Sequence, residues 1–539
     1  MWNSKQVCGK ITSVFRRRTG RLVLLGGVVA ILMAGGTYHN FQPAAATGAE
    51  DSPVKPAAAG PATEAPAGND NLTNGFIVKQ TDFDKDRGGF EDVEKLEDGK
   101  VGPVYNATSC AACHQNPVTG AASQIVEIRA GRRVPDPNDP NPKKVVFQDA
   151  PGGSVIQQRA IKPEDQETVP PEDDVRTFRL STNILGDGFI EALTDRQILD
   201  LRVNQRKHGM EGFPVVVLVP VYRFDKPGEK EYKFHFAERI GRFGWKSQHA
   251  SLLGFSADAY LNEMGITSPL QKEELTSLGK VIKPYDPIKG PEDEDLEVED
   301  PTKPNVKTPR PFGTDVEKFT RFMRSTKVPP VDATIDVSAG KALFLNKARL
   351  GCAICHHPEF TTPPAGTKIV GLHDKRGSDR ETVSDAHGNK IIRPYSDFML
   401  HDIGTGDGIA QSDHIGLRPL NYRPNADRVP EAVRIREGIG RVVGEPIEPE
   451  KGRASAHRVV PDLAITPTAP NLDQRTAFKM RTAPLWGLRS RPQLMHDGLS
   501  LTVEDAIRRH RGQADGVRLK FESLTDTEKK QLLDFLKSL

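Results

Sequence analysis

Two short runs carry the residues best suited to chemistry. They are Ser109-Cys110-Ala111-Ala112-Cys113-His114 and Cys352-Ala353-Ile354-Cys355-His356. Each sets two thiols two residues apart and follows the second at once with a His. That spacing suits covalent attachment of a c-type haem: two thiols on one turn add across the haem vinyl groups, and the adjoining imidazole lies under the iron. A zinc knuckle or a redox dithiol also uses Cys pairs, but neither needs the His. The runs therefore predict two covalently bound haem c groups, one on Cys110, Cys113 and His114, the other on Cys352, Cys355 and His356. The fifth cysteine, Cys8, precedes an apolar run and is not placed for lipidation.

The rest of the chain must position these runs. Its 539 residues, 37% hydrophobic and 27% charged, suffice for two domains or more. The formal charge of +2 is misleading, because Lys5, Lys10, Arg16, Arg17, Arg18 and Arg21 precede any acid. Beyond them acids outnumber bases, and no basic-aromatic stripe appears, so no nucleic-acid partner is expected. The cationic start, the apolar run Leu22 to Gly36 and the small residues Ala44 to Ala46 read as a signal peptide over 1–46, or else an N-terminal anchor. Membrane contact is expected only through that segment, and the body is expected in the periplasm, where haem c is attached.

Residues 47–74, rich in Ala and Pro, read as a disordered tether. A first haem domain is expected over 75–290, an acidic and Pro-rich linker over 291–330, and a second haem domain over 331–539. The acidic run Glu292-Asp293-Glu294-Asp295 reads as solvated linker, with a Ca²⁺ site or a docking patch for a basic partner as the sharper alternative. Val215 to Val219 predicts a strand pairing with Glu231 to Phe236. Helices are expected at Leu252 to Glu263, after Ser338 as a cap, at Val503 to His510, and behind the capping box Thr525-Asp526-Thr527-Glu528. The expected fold is mainly α: two cytochrome c-like haem lobes with long loops and a few short strands.

Five stretches carry a family likeness: Gly102–Gly120 (GPVYNATSCAACHQNPVTG), Ile240–Ser247 (IGRFGWKS), Glu263–Thr267 (EMGIT), Tyr395–Gly404 (YSDFMLHDIG) and Arg481–His510. They resemble the bacterial di-haem oxidoreductases, relatives of the di-haem cytochrome c peroxidases and of the di-haem enzyme that matures methylamine dehydrogenase. The likeness runs from about residue 75 to the C-terminus. It implies that electrons enter at the C-terminal haem. The second axial ligand of that haem stands at a fixed spacing after a His-Asp-Gly motif, which from His496-Asp497-Gly498 gives His510. The peroxidases have Met there, and a bis-imidazole iron has a lower potential than a His/Met one.

The resemblance also implies a reactive N-terminal haem with Glu263, in Glu263-Met264-Gly265, as distal acid/base, and Trp245 as electron relay, with Phe243 fitting the count. A distal Gln of the peroxidases is replaced by Leu253 or Gly254. Met495, His401 and Met399 compete with His510 as ligands; His208, His235 or His249 could cap the first iron; His496 reads as a propionate or backbone partner.

The expected function is a periplasmic peroxidase-like oxidoreductase. A small cytochrome or cupredoxin would supply electrons, and peroxide, or a thiol or protein substrate, would react at the first haem with Glu263 shuttling the proton. The reading from another class is a di-haem electron-transfer or sensory cytochrome with both irons six-coordinate and no substrate chemistry.

Overall fold

The computed structural model describes residues 61–96, 101–223, 233–282, 298–300, 303–308, 314–372, 381–412 and 472–539. The expected signal segment and most of the acidic run lie outside the described residues. Among the described residues, no helix is long and apolar enough to cross a membrane.

Nine helices are described: α1 (Gln80–Glu91), α2 (Asp187–Glu191), α3 (Asp195–Arg206), α4 (Leu252–Met264), α5 (Asp315–Ser325), α6 (Ser338–Leu345), α7 (Val503–Arg508), α8 (Asp515–Glu522) and α9 (Asp526–Ser538). The fold is nevertheless not mainly α, and it is not described as two helical lobes. Among the described residues the strands form seven small sheets. The largest joins β3 (Val126–Pro135) to β4 (Val145–Asp149), β5 (Val155–Ile156) and β7 (Val175–Leu180); β2 (Val104–Tyr105) pairs with β6 (Arg159–Ala160) beside it. The mainly-α expectation failed because many of the strands span only two residues, too few to show a period. In β3 the alternation Val126-Glu127-Ile128-Arg129-Ala130 is present but stops at Gly131-Arg132-Arg133, and it sets Glu127 across from Arg179 of β7. The turn-rich Asp136 to Lys144 connects β3 to β4.

β8 (Val216–Arg223) and β9 (Lys233–Ile240) form the hairpin predicted from Val215 to Val219. β10 (Val298–Asp300) and β11 (Lys303–Thr308) make another within the stretch read as linker. That stretch also contains α5, whose start is a Thr314/Glu317 capping box and whose Val316, Phe319, Phe322 and Met323 are buried. Apolar residues at three- and four-residue spacing make it a core helix, not a connector. Residues assigned to the tether are ordered as well. β1 (Thr63–Glu64) pairs with β13 (Lys390–Ile392), which also pairs with β12 (Phe360–Thr361). The Asn74 amide donates to Arg324 O and Thr326 O at 2.8 and 2.9 Å. Three short strands complete the second half beside β17 (Met480–Arg481): β14 (Leu400–His401), which pairs with it, and β15 (Gln411–Ser412) with β16 (Leu472–Asp473).

Two apolar cores matter for the sites. The first is built from α1, α4 and α5, with Phe83, Phe90, Leu253, Tyr260, Phe319 and Phe322. The second comes from α6, α8 and α9, with Phe344, Phe521, Leu532, Phe535 and Leu536, and Tyr395 beside them. The α9 capping box is present as expected, whereas α6 starts at Ser338 itself, without a side-chain cap.

Candidate functional site

Each Cys-x-x-Cys-His run forms a short 3₁₀ turn opening onto a cavity. In the first, Ser109 Oγ accepts from Ala112 N and fixes the turn Cys110–Ala112. The cavity beside it is lined by Cys110, Cys113, His114, Glu263, Met264 and Met323, with Phe90, Phe255 and Phe319 as apolar walls.

What brings Glu263 here is a close backbone approach. Gly265 ends α4 with φ of 72°, a conformation that costs Gly little. A Cβ on Gly102 would stand 2.2 Å from Gly265 O, so neither residue can carry a side chain without parting the segments. Gly102 N then donates to Met264 O (3.1 Å), and Asn106 N and Ala107 N both donate to Glu263 O (2.7 and 3.0 Å). The segment leading into Cys110 is thus hydrogen-bonded to the last turn of α4.

Glu263 does not stand alone. The Asn106 side-chain amide donates to its Oε2 at 2.8 Å, and the charge of Glu127 acts on its carboxyl group. Arg129 grips Glu127 from two sides, Nε to Oε1 at 2.6 Å and Nη2 to Oε2 at 3.2 Å. Burial first, and Glu127 after it, raise the Glu263 pKa to about 8 against the opposing effects of Asn106 and Arg129. Burial works the same way on Glu127, but Arg129 outweighs it and keeps that carboxylate below its ordinary range. Sequence reasoning missed Glu127 and Arg129 altogether. Their only signal was an alternation of charged residues in a strand not recognised as one.

The second cavity is larger, with ≈ 210 Å³ open to water centres. Cys352, Cys355, His356, His510, Trp245, His496, Arg481 and Arg491 are among its lining residues. His356 Nδ1 bonds Tyr395 O at 3.0 Å, and His510 Nδ1 bonds Ala506 O at 2.7 Å. Both rings therefore keep Nε2 free. Their centroids lie 6.4 Å apart. Two metal–imidazole bonds of about 2 Å, with about 1 Å from each nitrogen to its ring centre, span about 6 Å. The pair is thus spaced to hold one metal between them.

The polar lining fits a haem as well. Arg481 is buried and Arg491 half-buried, and among the described residues neither makes an ion pair. Burial lowers both to about 10. Arg491 Nε and Gln493 Oε1 are buried without a partner. Buried cations are costly unless paired; Asp187 acts on both but is itself raised to about 8 by burial, so the propionate carboxylates of a haem are suitable partners.

The other sequence candidates fall into place around these cavities. Trp245 lines the second cavity, donates Nε1 to Leu180 O (2.7 Å), and meets the His496 ring edge-on at 6.2 Å. Phe243, the alternative by count, stacks on Phe255 of the first cavity wall at 6.1 Å. The two aromatics of one segment therefore face different cavities, and the residues Leu180 to Ile184 also run from one to the other. His496 lines the cavity near Trp245, and burial lowers it to about 4.

His401 is no ligand, since its Nε2 is held by Asp397 at 2.8 Å and its Nδ1 by Gln513 at 2.9 Å. Met399 is buried in the first core, and Met495 lines the second cavity. His208 is exposed. His249 bonds Asp258 at 3.0 Å and stacks on Phe255, away from the first cavity. The His235 side chain lies outside the described residues. Among the described residues, His114 is the one imidazole lining the first cavity.

Cys355, Asp397 and His401 come close enough to suggest a metal site. With Cys355 assigned to thioether attachment, the cluster reads as a buried ion pair instead. Burial works against the His401 charge, but Asp397 outweighs it and lifts the imidazole well above its usual range.

The family model described as "Di-haem oxidoreductase, putative peroxidase" matches residues 141–418, which include Glu263 and Cys352 to His356. No curated protein matches the chain. A solved hydrazine synthase of Kuenenia stuttgartiensis aligns at 17% identity over 43% of this chain, with a TM-score of 0.21. The chain spans 57% of that chain's length, and a likeness so slight carries no argument. The family match covers more than half of the 539 residues: the chain belongs to the di-haem oxidoreductase family.

Proposed function

We propose that this chain is an exported, periplasmic di-haem c oxidoreductase of peroxidase type. Electrons enter at the C-terminal cavity from a small cytochrome or cupredoxin, and peroxide is reduced at the N-terminal one. Cys110, Cys113 and His114 would hold the first haem, and Cys352, Cys355, His356 and His510 the second. When bound, the haems supply redox-active iron that stores and delivers the electrons. The chain supplies everything else. His356 and His510 close off both sides of the second site, which leaves it suited to electron transfer alone. Arg481 and Arg491 orient the second haem by pairing with its propionates. Trp245 and the residues Leu180 to Ile184 shorten the path between the two sites. Glu263 gives its carboxyl proton to the oxygen that leaves when peroxide is cleaved, and apolar Phe90, Phe255 and Phe319 limit competing water.

The observation that carries this reading is the asymmetry of the cavities. One presents a facing imidazole pair 6.4 Å apart, and the other a protonatable carboxyl with a single lining imidazole. One observation favours the second reading, an electron-transfer or sensory cytochrome. The thioethers of Met264 and Met323 also line the first cavity, and either would close it by ligation. The spin state of each iron in the purified holoprotein decides. One high-spin and one low-spin signal by electron paramagnetic resonance, with peroxide turnover, is expected. Two low-spin signals without turnover would replace the enzyme by the cytochrome.

A further inference from the structure

Tyr395 meets the second site through its backbone. Its φ of 52° lies in the left-handed region, which Gly enters freely and a bulky residue rarely does. Tyr395 is only 2% exposed, and its ring packs edge-on against Phe344 and Phe535, with centroids 5.6 and 5.8 Å away. One residue of α6 and one of α9 thus hold the side chain in the second core, while the carbonyl oxygen turns to His356 Nδ1 at 3.0 Å. A carbonyl oxygen only accepts, so Nδ1 carries the proton and Nε2 is left for a metal.

The neighbouring residues hold this turn from both ends. Before it, Leu485 N donates to Pro394 O at 2.8 Å; after it, Ser396 N donates to His357 O at 2.9 Å. Ser396 Oγ accepts from Phe398 N at 3.0 Å and donates to Thr482 O. Phe398 is left-handed as well, with φ of 58°, and its carbonyl accepts from Ser247 Oγ at 2.7 Å. A strained conformation persists only where its surroundings over-determine it, and such residues gather where a site needs a fixed placement. Gly at this position would adopt the conformation without strain, but nothing would hold it there. Tyr carries the strain and supplies the hold.

We propose that Tyr395 is a positioning residue of the second haem: its left-handed backbone, locked by its ring, sets the plane and the donor strength of His356. The inference rests on the proposed function only for a haem held by His356. The carbonyl of Tyr395 orients His356 as the carbonyl of Ala506 orients His510, and the two ring planes stand 53° apart. That angle governs how the imidazole π orbitals overlap the iron d orbitals, and hence the g values of a low-spin ferric haem. The bond from Nδ1–H to the carbonyl also gives the imidazole part of the character of its anion. A stronger donor favours ferric over ferrous iron and lowers the potential.

The test uses the holoprotein and its Tyr395→Phe, Tyr395→Gly and Phe535→Leu variants. The second haem is followed by potentiometric titration and by electron paramagnetic resonance. Tyr395→Phe keeps the ring and should match the parent. Tyr395→Gly frees the backbone from the core and should raise the potential and shift the g values. A tenfold loss of preference for ferric iron is a rise of about 59 mV. Phe535→Leu leaves Tyr395 in place but loosens its ring, and should move both readouts the same way by less. A side chain that only fills the core would lower stability in Tyr395→Gly and leave potential and g values at those of the parent, and that result overturns the proposal. Should Tyr395→Gly fail to fold, unmoved readouts in Phe535→Leu overturn it instead. If His510→Ala leaves the second iron unchanged while Tyr395→Gly moves its potential, the His356/His510 pair falls and the proposal stands. If His510→Ala turns that iron high-spin while Tyr395→Gly moves neither readout, the pair stands and the proposal falls. Neither readout uses peroxide, so a parent without turnover removes the peroxidase reading and leaves this test intact.

Discussion

Replacing Glu263 by Gln tests the reaction at its proton. The substitution is nearly isosteric, and the amide oxygen can still accept from Asn106 where Oε2 accepts now at 2.8 Å. The turn into Gly265 and the bonds from Asn106 N and Ala107 N are made by backbone and should survive. Only the transferable proton is lost. General acid–base help is worth about 10²–10⁴ in rate, which is about 3–5 kcal/mol of barrier. The pH dependence adds a second constraint. An acid works while protonated, and burial with Glu127 beside it holds Glu263 protonated up to about pH 8. Parent turnover should therefore be level through neutrality and fall about tenfold per unit above that pH. In Glu263→Gln the remaining rate should be lower by the stated factor and should lack this limb. The assay is steady-state peroxide consumption by the reduced holoprotein, with haem content and spectra as controls. A variant within twofold of the parent, or one keeping the limb near pH 8, would refute the assignment of the proton to Glu263.

Four further substitutions, at three positions, probe the frame. His510→Ala should turn the second iron high-spin, and His510→Met should raise its potential, both read in spectroelectrochemical titration; an unchanged spectrum in His510→Ala would identify another ligand. Asp407 binds Lys246 at 2.8 Å and Arg179 at 2.7 Å, all fully buried or nearly so. Asp407→Asn should cost about 3–5 kcal/mol by leaving those cations unpaired. Burial opposes the Asp407 charge, but Arg179 and Lys246 prevail and depress its folded-state pKa. Its contribution is therefore full above the unfolded value near 4 and lost as pH falls further, so the variant's unfolding free energy should vary less on acidification. Glu191 pairs with Arg324 through both oxygens (2.6 and 2.9 Å) and accepts from Leu252 N at the start of α4 (2.7 Å). Glu191→Ala should cost about 3–5 kcal/mol in calorimetry, and a loss under about 1 kcal/mol would show that the pair adds little to the net stability.

The parts of the site legible in the sequence are those whose chemistry demands contiguity. Thioether attachment needs both thiols and the imidazole on one turn, so Cys110 to His114 and Cys352 to His356 announce themselves. Glu263 and His510 were legible only through the family resemblance, from Glu263-Met264-Gly265 and from the position it implies after His496-Asp497-Gly498, although α7 itself stops at Arg508. The choice between Trp245 and Phe243 was not legible, because adjacent positions in a turn differ in the cavity they face, and only the tertiary fold says which. Glu127 was invisible for a different reason. Its partner lies far along the chain, and within β3 it resembles an exposed strand residue. The strand-rich middle was lost to brevity, since many of its strands span two residues and the alternation of Val126 to Ala130 in β3 breaks off at Gly131. Helices with apolar stripes, such as α4, α5 and α9, hide nothing of the kind, yet α5 was masked by the acidic and proline-rich residues preceding it.

The two cavities differ in how each satisfies its buried charges, and this supports the proposed division of labour. In the second, burial works on cations. Arg481 and Arg491 make no ion pair among the described residues, although Asp187 acts on both, and burial holds His356 near pKa 4. No carboxylic acid among the described residues lines that cavity, and the proposed ligands would take both approaches to the metal. A site of that kind changes little between oxidation states, which is what fast electron passage requires. In the first, burial works on carboxyl groups. It keeps Glu263 protonated at neutral pH, beside an ionised partner that makes the loss of that proton costly and its return favourable. Exchanging the electrostatics would spoil both: a carboxyl pair at the second site would compete for the haem-binding arginines, and a second imidazole at the first would occupy the position a substrate needs. The duplication of one attachment motif therefore yields two unlike sites, because the residues around each motif, not the motif, set what the bound group can do.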